Sequence, residues 1–300
     1  MSEQLQRSIV ITGTSSGIGY ATAKLLAERG FQVFGSVRSE KDADHTSQTL
    51  GSNFCPLIFD VTDQPSVQKA ADVVRERLGQ RRLFALINNA GIEMAGPLAY
   101  LPVERFRTQL EVNLIGVLSV TQAFLPLLGT EADRIGSPGR IINISSMLGR
   151  LAIPFVGAYC ASKFGLEGLS DTLRREMKLF GIDVIVVEPG AVVTPIWDKA
   201  EGKMLQEYPH TPYQRSLTKF VETAMKSGRE GFPASKVAEL LERILSTKKP
   251  KARYTLIPKK FVEYTIPRLL PARTLDYFMN KYLGISAVKG TESGEVKGDR

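Results

Sequence analysis

Short, nearly continuous apolar runs alternate along the chain with longer stretches whose apolar positions recur at helical spacing. Ser8–Ile11, Gln32–Val37, Phe54–Phe59, Leu83–Asn88, Arg140–Ile144 and Asp183–Val187 read as strands. Several are apolar at almost every position, as strands buried on both faces are. Ile18–Arg29, Pro65–Leu78, Val103–Leu128 and Tyr159–Phe180 read as helices, and Ala234–Ser246 with Arg253–Ile257 adds a last helix and strand. This alternation predicts an α/β fold built on a single doubly wound parallel sheet, Rossmann-like, with helices on both faces.

No repeat or composition break interrupts residues 7–258, so one domain is expected over 1–285. Two additions interrupt or extend it. Residues 194–233 are long for a loop and carry scattered prolines and aromatics, which predicts a lid insertion with some helix of its own. Residues 259–285 form a C-terminal extension in which Pro267 and Pro271 break the chain into short pieces. Residues 286–300 are small and polar, the composition of a disordered tail.

The turn after the first strand is Thr12-Gly13-Thr14-Ser15-Ser16-Gly17-Ile18-Gly19. Glycines between a strand and a helix let the backbone approach a pyrophosphate, and the helix N-terminus supplies N–H groups and a positive dipole end. The second strand ends at Val37 and Arg38, where a fold that binds NAD usually places a carboxylate for the ribose 2′-hydroxyl. A guanidinium there can pair with a 2′-phosphate, so NADP(H) is expected over NAD(H). The other reading of Arg38 is a solvated surface residue.

Tyr159 and Lys163 stand four residues apart and share one helix face, with Ser146 thirteen residues before the tyrosine. An ammonium beside a phenol favours phenolate and lowers its pKa, which suits proton exchange with an alcohol or carbonyl oxygen. Ser146 can hydrogen-bond the same oxygen. Taken singly, each residue also fits ordinary packing or capping.

Bulk properties narrow the classes. The chain has 300 residues, 43% apolar and 23% charged, with two cysteines and two histidines. That excludes a disulfide framework and a histidine-rich metal site, and no metal is expected. No signal-like start and no run of about 18 uninterrupted apolar residues is seen, so the expected location is cytoplasmic. The net charge of +8 is concentrated: Lys248 to Lys281 holds nine Lys/Arg against Glu263 and Asp276. No nucleic-acid motif accompanies it.

Together these motifs resemble the short-chain dehydrogenase/reductase family over residues 7–258, in particular its hydroxysteroid and retinol dehydrogenase branches. Thr12–Gly19 is similar to the family's T-G-x-x-x-G-x-G, and Asn88-Asn89-Ala90-Gly91 to its N-N-A-G. Ser146, Tyr159 and Lys163 fall on its catalytic trio at the right spacing. The resemblance implies a nicotinamide oxidoreductase. It implies that Asp60 and Val61 hold the adenine, and that Asn113 joins a water-linked proton relay. It implies further that Pro189, Gly190, Val192 and Thr194 meet the nicotinamide carboxamide, and that Lys163 also binds its ribose. A homo-oligomer is implied as well. Ser145 is the structural neighbour of Ser146, and Cys160 is expected to pack.

The loop Met147–Val156 and the lid residues Ile196, Trp197, Met204, Leu205, Tyr208, Tyr213, Phe220 and Met225 suggest a bulky lipophilic alcohol or carbonyl substrate. Each of them singly also fits packing of the lid onto the body. Three placements are open for the extension: a cap on the cleft, packing on the body or a second subunit, and peripheral contact with an anionic membrane. The alternative to an enzyme is a catalytically inactive module that senses NADP, against which the intact trio argues.

Overall fold

The computed structural model describes residues 7–193 and 203–286. Among these, seven parallel strands form one sheet: β1 (Ser8–Ile11), β2 (Gln32–Val37), β3 (Phe54–Ile58), β4 (Ala85–Asn88), β5 (Arg140–Ile144), β6 (Asp183–Pro189) and a last strand, Arg253–Leu256. Their order is β3-β2-β1-β4-β5-β6 with Arg253–Leu256 at the far edge. Every pairing is parallel.

Alternate strand residues feed two separate core layers. Val10, Phe34, Leu57, Leu86, Ile141 and Val184 point to one face. They meet Val67, Ala71 and Val74 of α3 (Gln64–Leu78) and Val120 and Phe124 of α5 (Gly116–Leu125). Ile9, Ile11, Val33, Ile87, Ile142 and Ile185 point to the other. There they meet Ala23 and Leu26 of α1 (Gly17–Glu28) and Val237, Leu240 and Leu241 of the helix Ala234–Ser246. The two-residue period of a strand makes this division automatic.

The chain winds outward in opposite directions from the β1–β4 junction. At that reversal a crevice opens beyond the carboxyl ends of the strands, the usual ligand position in such sheets. The loops leaving β1, β2, β3, β4, β5 and β6 therefore converge on one edge.

Four features depart from the expected elements. The helix α2 (Glu40–Leu50) is present although its segment is largely polar; it buries only Ala43, Thr46 and Leu50. Its start is capped by Ser39, whose Oγ accepts from Asp42 N at 3.2 Å. The segment expected as one helix over Val103–Leu128 consists of α4 (Val103–Leu110), a π-helical turn (Glu111–Ile115), α5, and a second π turn ending in a kink at Gly129, φ 147°. Val103–Thr130 is long and apolar enough, by length and composition, to cross a membrane. Its core-facing residues Val120, Phe124, Leu127 and Leu128 are nevertheless packed in the core layer against the sheet. Finally, two short segments, Val192–Val193 and Phe232–Pro233, pair in parallel at the two ends of the insertion.

Within the insertion, the helix Gln214–Arg229 gives the described part of the lid its own secondary structure. The extension packs on the body at two points. Tyr264 is buried with its hydroxyl donating to Glu188 Oε2 at 2.9 Å, and Leu283 is buried against the lid. Phe261, Leu269, Tyr277 and Phe278 face outward. The expected tail lies outside the described residues apart from Ala287's predecessor, Ser286.

Candidate active site

The glycine turn lies at the carboxyl end of β1, shaped by its neighbours. Thr12 Oγ1 accepts from Asn89 N and Ala90 N, both at 2.9 Å. Asn89 Nδ2 donates back to Thr12 O at 2.9 Å and Gly13 O at 3.0 Å. Gly13 and Gly17 have φ of 72° and 60°, which side-chain-bearing residues rarely adopt. A Cβ on Gly19 would collide with the Gly13 carbonyl and the Asn89 amide. The turn is thus closed from inside by Asn89 and open outside. There Ser15 and Ser16 are exposed, and Ser16 occupies the N-cap of α1 without using its hydroxyl to cap. Free first-turn N–H groups and two unspent hydroxyls fit a phosphate.

The same edge continues outward along the sheet. Arg38 follows β2, is exposed, and makes no ion pair or hydrogen bond among the described residues. Asp60 follows β3 by two residues; its Oδ1 accepts from Thr62 N at 2.9 Å and Thr62 Oγ1 at 2.7 Å. Val61 is buried against Gly116, where any Cβ would press on it. Beyond β6, Gly190 N donates to Leu256 O at 2.8 Å, and Val192 is buried beside the short Phe232–Pro233 strand. Ala90 and Gly91 lie on the β4 loop, in contact with the glycine turn and Asn113 respectively. Thr194, Ile196 and Trp197 lie outside the described residues.

Ser146 follows β5, and Tyr159 and Lys163 lie in the first turns of α6 (Gly157–Glu176). Two buried side-chain chains hold this geometry. Asn88 Nδ2 donates to Asn143 Oδ1 at 2.9 Å, and Asn143 Nδ2 to Ser170 Oγ at 2.8 Å, which ties β4 to β5 and to α6. Asn113, in the π turn, accepts from Ile92 N at 2.9 Å and donates to Ile92 O at 2.9 Å and Ser162 Oγ at 3.1 Å. Ser162 Oγ in turn donates to Tyr159 O at 2.7 Å. The Asn113 side chain is therefore a brace between the β4 loop and the tyrosine's own turn. A π turn at this point matches the frequent use of such bulges at functional sites.

Phe155 enters α6 with φ 70°, the sole non-glycine with positive φ among the described residues. Its carbonyl accepts from Gly96 N at 2.7 Å, and its ring meets Tyr213 and Phe220 edge-on at 5.8 and 5.6 Å. The strain is held by packing immediately before Tyr159, a usual setting for strained residues. Met204, Tyr208, Leu217, Phe220, Cys160 and Leu283 complete this apolar cluster. Most lid aromatics thus pack the lid onto the body. Ala95, Leu148, Ile153 and Tyr159 border the cluster partly exposed. Burial pushes the Cys160 thiol up, which suits packing rather than redox use.

Electrostatics differ from the expectation for the pair. Lys163 Nζ is buried, donates to Ile144 O at 2.8 Å, and lies 5.7 Å from the Tyr159 ring centre. Its pKa falls to about 8, because burial disfavours the ammonium more than Glu167 one turn on supports it. The Tyr159 phenol is pushed up rather than down. Burial is the main cause and the Glu93 carboxylate adds to it, with only the Ser146 hydroxyl pulling the other way. Desolvation outweighs the lysine at this separation. Ser146 Oγ accepts from Leu148 N at 3.1 Å, and its hydroxyl is hydrogen-bonded to the Tyr159 phenol.

Two features went unread in the sequence. Glu93, two residues past the N-N-A-G segment, sits in the site; its sequence signal is a charge inside an otherwise apolar stretch. Arg253 links Glu167, Asp171 and Glu188 beneath it at 2.6, 3.3 and 2.9 Å, a grouping that only the fold creates.

The chain is similar to known proteins. The family model described as "short chain dehydrogenase" matches residues 7–204. An NADPH-dependent 3-dehydrocapnine reductase from Ornithobacterium rhinotracheale is 37% identical over 92% of this chain and 97% of its own. Retinol dehydrogenase 5 of Mus musculus is 35% identical over 89% of this chain and 86% of its own. A short chain dehydrogenase/reductase from Burkholderia phymatum, solved in complex with NAD, superposes with a TM-score of 0.73 at 25% identity. That alignment covers 89% of this chain and 93% of its own.

Proposed function

The chain belongs to the short-chain dehydrogenase family and is an oxidoreductase of CH–OH and C=O groups, and we propose that it reduces a lipophilic carbonyl compound with NADPH. One observation carries the cofactor preference: Arg38 takes the place of the carboxylate after β2 and its guanidinium has no other described partner. A free guanidinium attracts a 2′-phosphate, which a carboxylate there repels. The pyrophosphate would rest on the Gly13–Gly19 turn and the hydroxyls of Ser15 and Ser16. Asp60, Val61, Asn89, Ala90 and Gly91 would line the adenosine side, and Pro189, Gly190, Val192 and Thr194 the nicotinamide. A bound nicotinamide supplies the hydride.

The chain's own residues handle the oxygen and its proton. Ser146 donates to the carbonyl oxygen and orients it. Tyr159 gives that oxygen a proton, and its raised pKa makes it a phenol at neutral pH, the form needed for donation. Lys163 carries charge below about pH 8 and supports the phenolate left behind. Asn113 holds Tyr159's turn in register with the β4 loop. Ala95, Leu148 and Ile153, partly buried beside Tyr159 against the lid cluster, would give the cleft apolar walls that suit a lipophilic substrate. We read residues 1–285 as one catalytic unit of this kind.

The test is oxidation of NADPH and NADH across a carbonyl panel of retinal, steroid ketones, aliphatic aldehydes and ketoesters. Preference for NADPH, lost or reversed in Arg38→Asp, is the expected result. Equal use of both cofactors by the wild type refutes the cofactor assignment. A flat response across the panel refutes the reductase reading and favours a binding module.

A further inference from the structure

Phe155 is the one non-glycine with positive φ among the described residues, and it stands four residues before Tyr159. A bulky residue rarely takes a φ of 70°, so its surroundings must hold it there. The holding contacts come from two other segments. The Phe155 carbonyl accepts from Gly96 N of the β4 loop at 2.7 Å. Its buried ring lies edge-on to Tyr213 at 5.8 Å and to Phe220 at 5.6 Å. Tyr213 is the N-cap of the lid helix Gln214–Arg229, and Phe220 lies in that helix's second turn. Tyr213 also meets Tyr100 edge-on at 6.2 Å. Lid, β4 loop and the entry to α6 thus converge on Phe155 and Tyr213.

Directly downstream is the proton donor. α6 begins at Gly157, and Tyr159 is its third residue. The N-cap is Val156, which has no side-chain oxygen, so this first turn lacks the fastening that Ser or Asp would give. The Asn113–Ser162 brace grips the turn at the Tyr159 carbonyl. Phe155 grips it from the amino side. The two glycines nearby leave little slack: a Cβ on Gly157 would collide with Leu98, and one on Gly96 with Tyr208 of the lid. Relaxation of Phe155 to negative φ would redirect the chain where it enters α6 and fray the turn that carries Tyr159.

We propose that Phe155 is a positioning residue that transmits the seating of the lid helix to Tyr159. This deepens the reductase reading and rests on it. With the lid helix seated, Tyr213 and Phe220 clamp the ring, the backbone stays at φ 70°, and the first turn of α6 stays formed. With the lid lifted, the ring loses both partners, residue 155 relaxes, and the Tyr159 hydroxyl leaves its place. Proton donation is thereby confined to a covered cleft. The strain is what carries the message. A residue at ease with positive φ would keep its conformation whether or not the lid pressed on it.

The experiment compares wild type, Phe155→Ala and Phe155→Gly. It uses NADPH and whichever of retinal, a steroid ketone, decanal or a ketoester the wild type reduces fastest. Both variants lose the ring that anchors the lid, so both should raise KM. They differ in the backbone. Alanine keeps a Cβ that disfavours positive φ, and its kcat should fall about tenfold or more. Glycine removes that penalty, and its kcat should stay within about threefold of the wild type. The Kd for NADPH, by fluorescence titration, should barely change in either. A phenylalanine that only fills space predicts the opposite order, since glycine leaves a larger gap and a looser chain than alanine. A kcat for Phe155→Gly at or below that of Phe155→Ala therefore overturns this inference alone. No turnover of any of the four compounds by the wild type overturns the reductase reading and this inference with it. If Phe155→Ala does not fold, Phe220→Leu takes its place: it should lower kcat, and adding Phe155→Gly should raise it again. Absence of that rescue overturns the inference equally.

Discussion

Replacing Arg253 with methionine keeps an unbranched apolar stem and removes the one cation shared by three carboxylates. Arg253 lies 2.6 Å from Glu167, 2.9 Å from Glu188 and 3.3 Å from Asp171. The Glu188 side chain has no exposed surface and that of Glu167 only 9%, so water cannot take over. Removing one partner of a buried pair costs about 3–5 kcal/mol, because the other charge is left uncompensated. Two effects favour the lower end. Glu188 keeps neutral donors in Thr255 Oγ1 at 2.8 Å and the Tyr264 hydroxyl at 2.9 Å. Burial already pushes the Glu167 carboxyl up, so without Arg253 it can escape its charge by taking a proton. We expect about 3 kcal/mol, read as a lower urea midpoint by circular dichroism, and a Tm lower by about 6–12 °C. Adding Glu188→Gln to Arg253→Met should restore part of the loss, since it removes the stranded charge, whereas Glu188→Gln alone should destabilise. A loss below about 1 kcal/mol, or strict additivity of the two changes, would refute the reasoning.

Gly19→Ala should weaken cofactor binding severely, measured by fluorescence titration, because its Cβ has no room against Gly13 and Asn89. Tyr159→Phe should lower kcat by about a hundredfold or more while the cofactor Kd stays within a few-fold; near-normal kcat would remove Tyr159 from the chemistry. Glu93→Gln should stabilise the protein at pH 8 but not at pH 4 in paired urea titrations. The folded pKa of Glu93 is raised from 4.5 to about 7, so its favourable share is present below 4.5 and is lost as pH rises through 7. For Lys163 the charged form is lost above about pH 8 in the free protein, so kcat/KM for the cofactor should fall there. A profile flat to pH 10 would contradict that assignment.

Strand and helix order was readable because both periodicities are strong where an element is buried. β1, β2 and β5 begin and end at the residues their apolar runs suggest. The polar α2 escaped notice because three buried residues make too thin a stripe, although Ser39 with Glu40 and Asp42 marked its start. The π turn at Asn113 was equally hidden. One extra residue in a helical turn leaves the local pattern intact, and only the partners Ile92 and Ser162 show why it is there.

The sequence by itself determined which chemistry-bearing residues exist and, through their spacing and the alternation of elements, that they gather at the carboxyl edge of a doubly wound sheet. Tyr159 and Lys163 share a face because helical rise and twist require it. Only the tertiary structure decided the charge state of that pair. Burial raises the phenol and lowers the ammonium, a Glu93 from a distant loop adds to the first effect, and neither is local in sequence. It also brought Arg253, at the far sheet edge, to Glu188 beside the Pro189–Gly190 segment. Spacing along a chain dictates geometry within one element, whereas desolvation and Coulomb fields depend on what the rest of the chain places nearby.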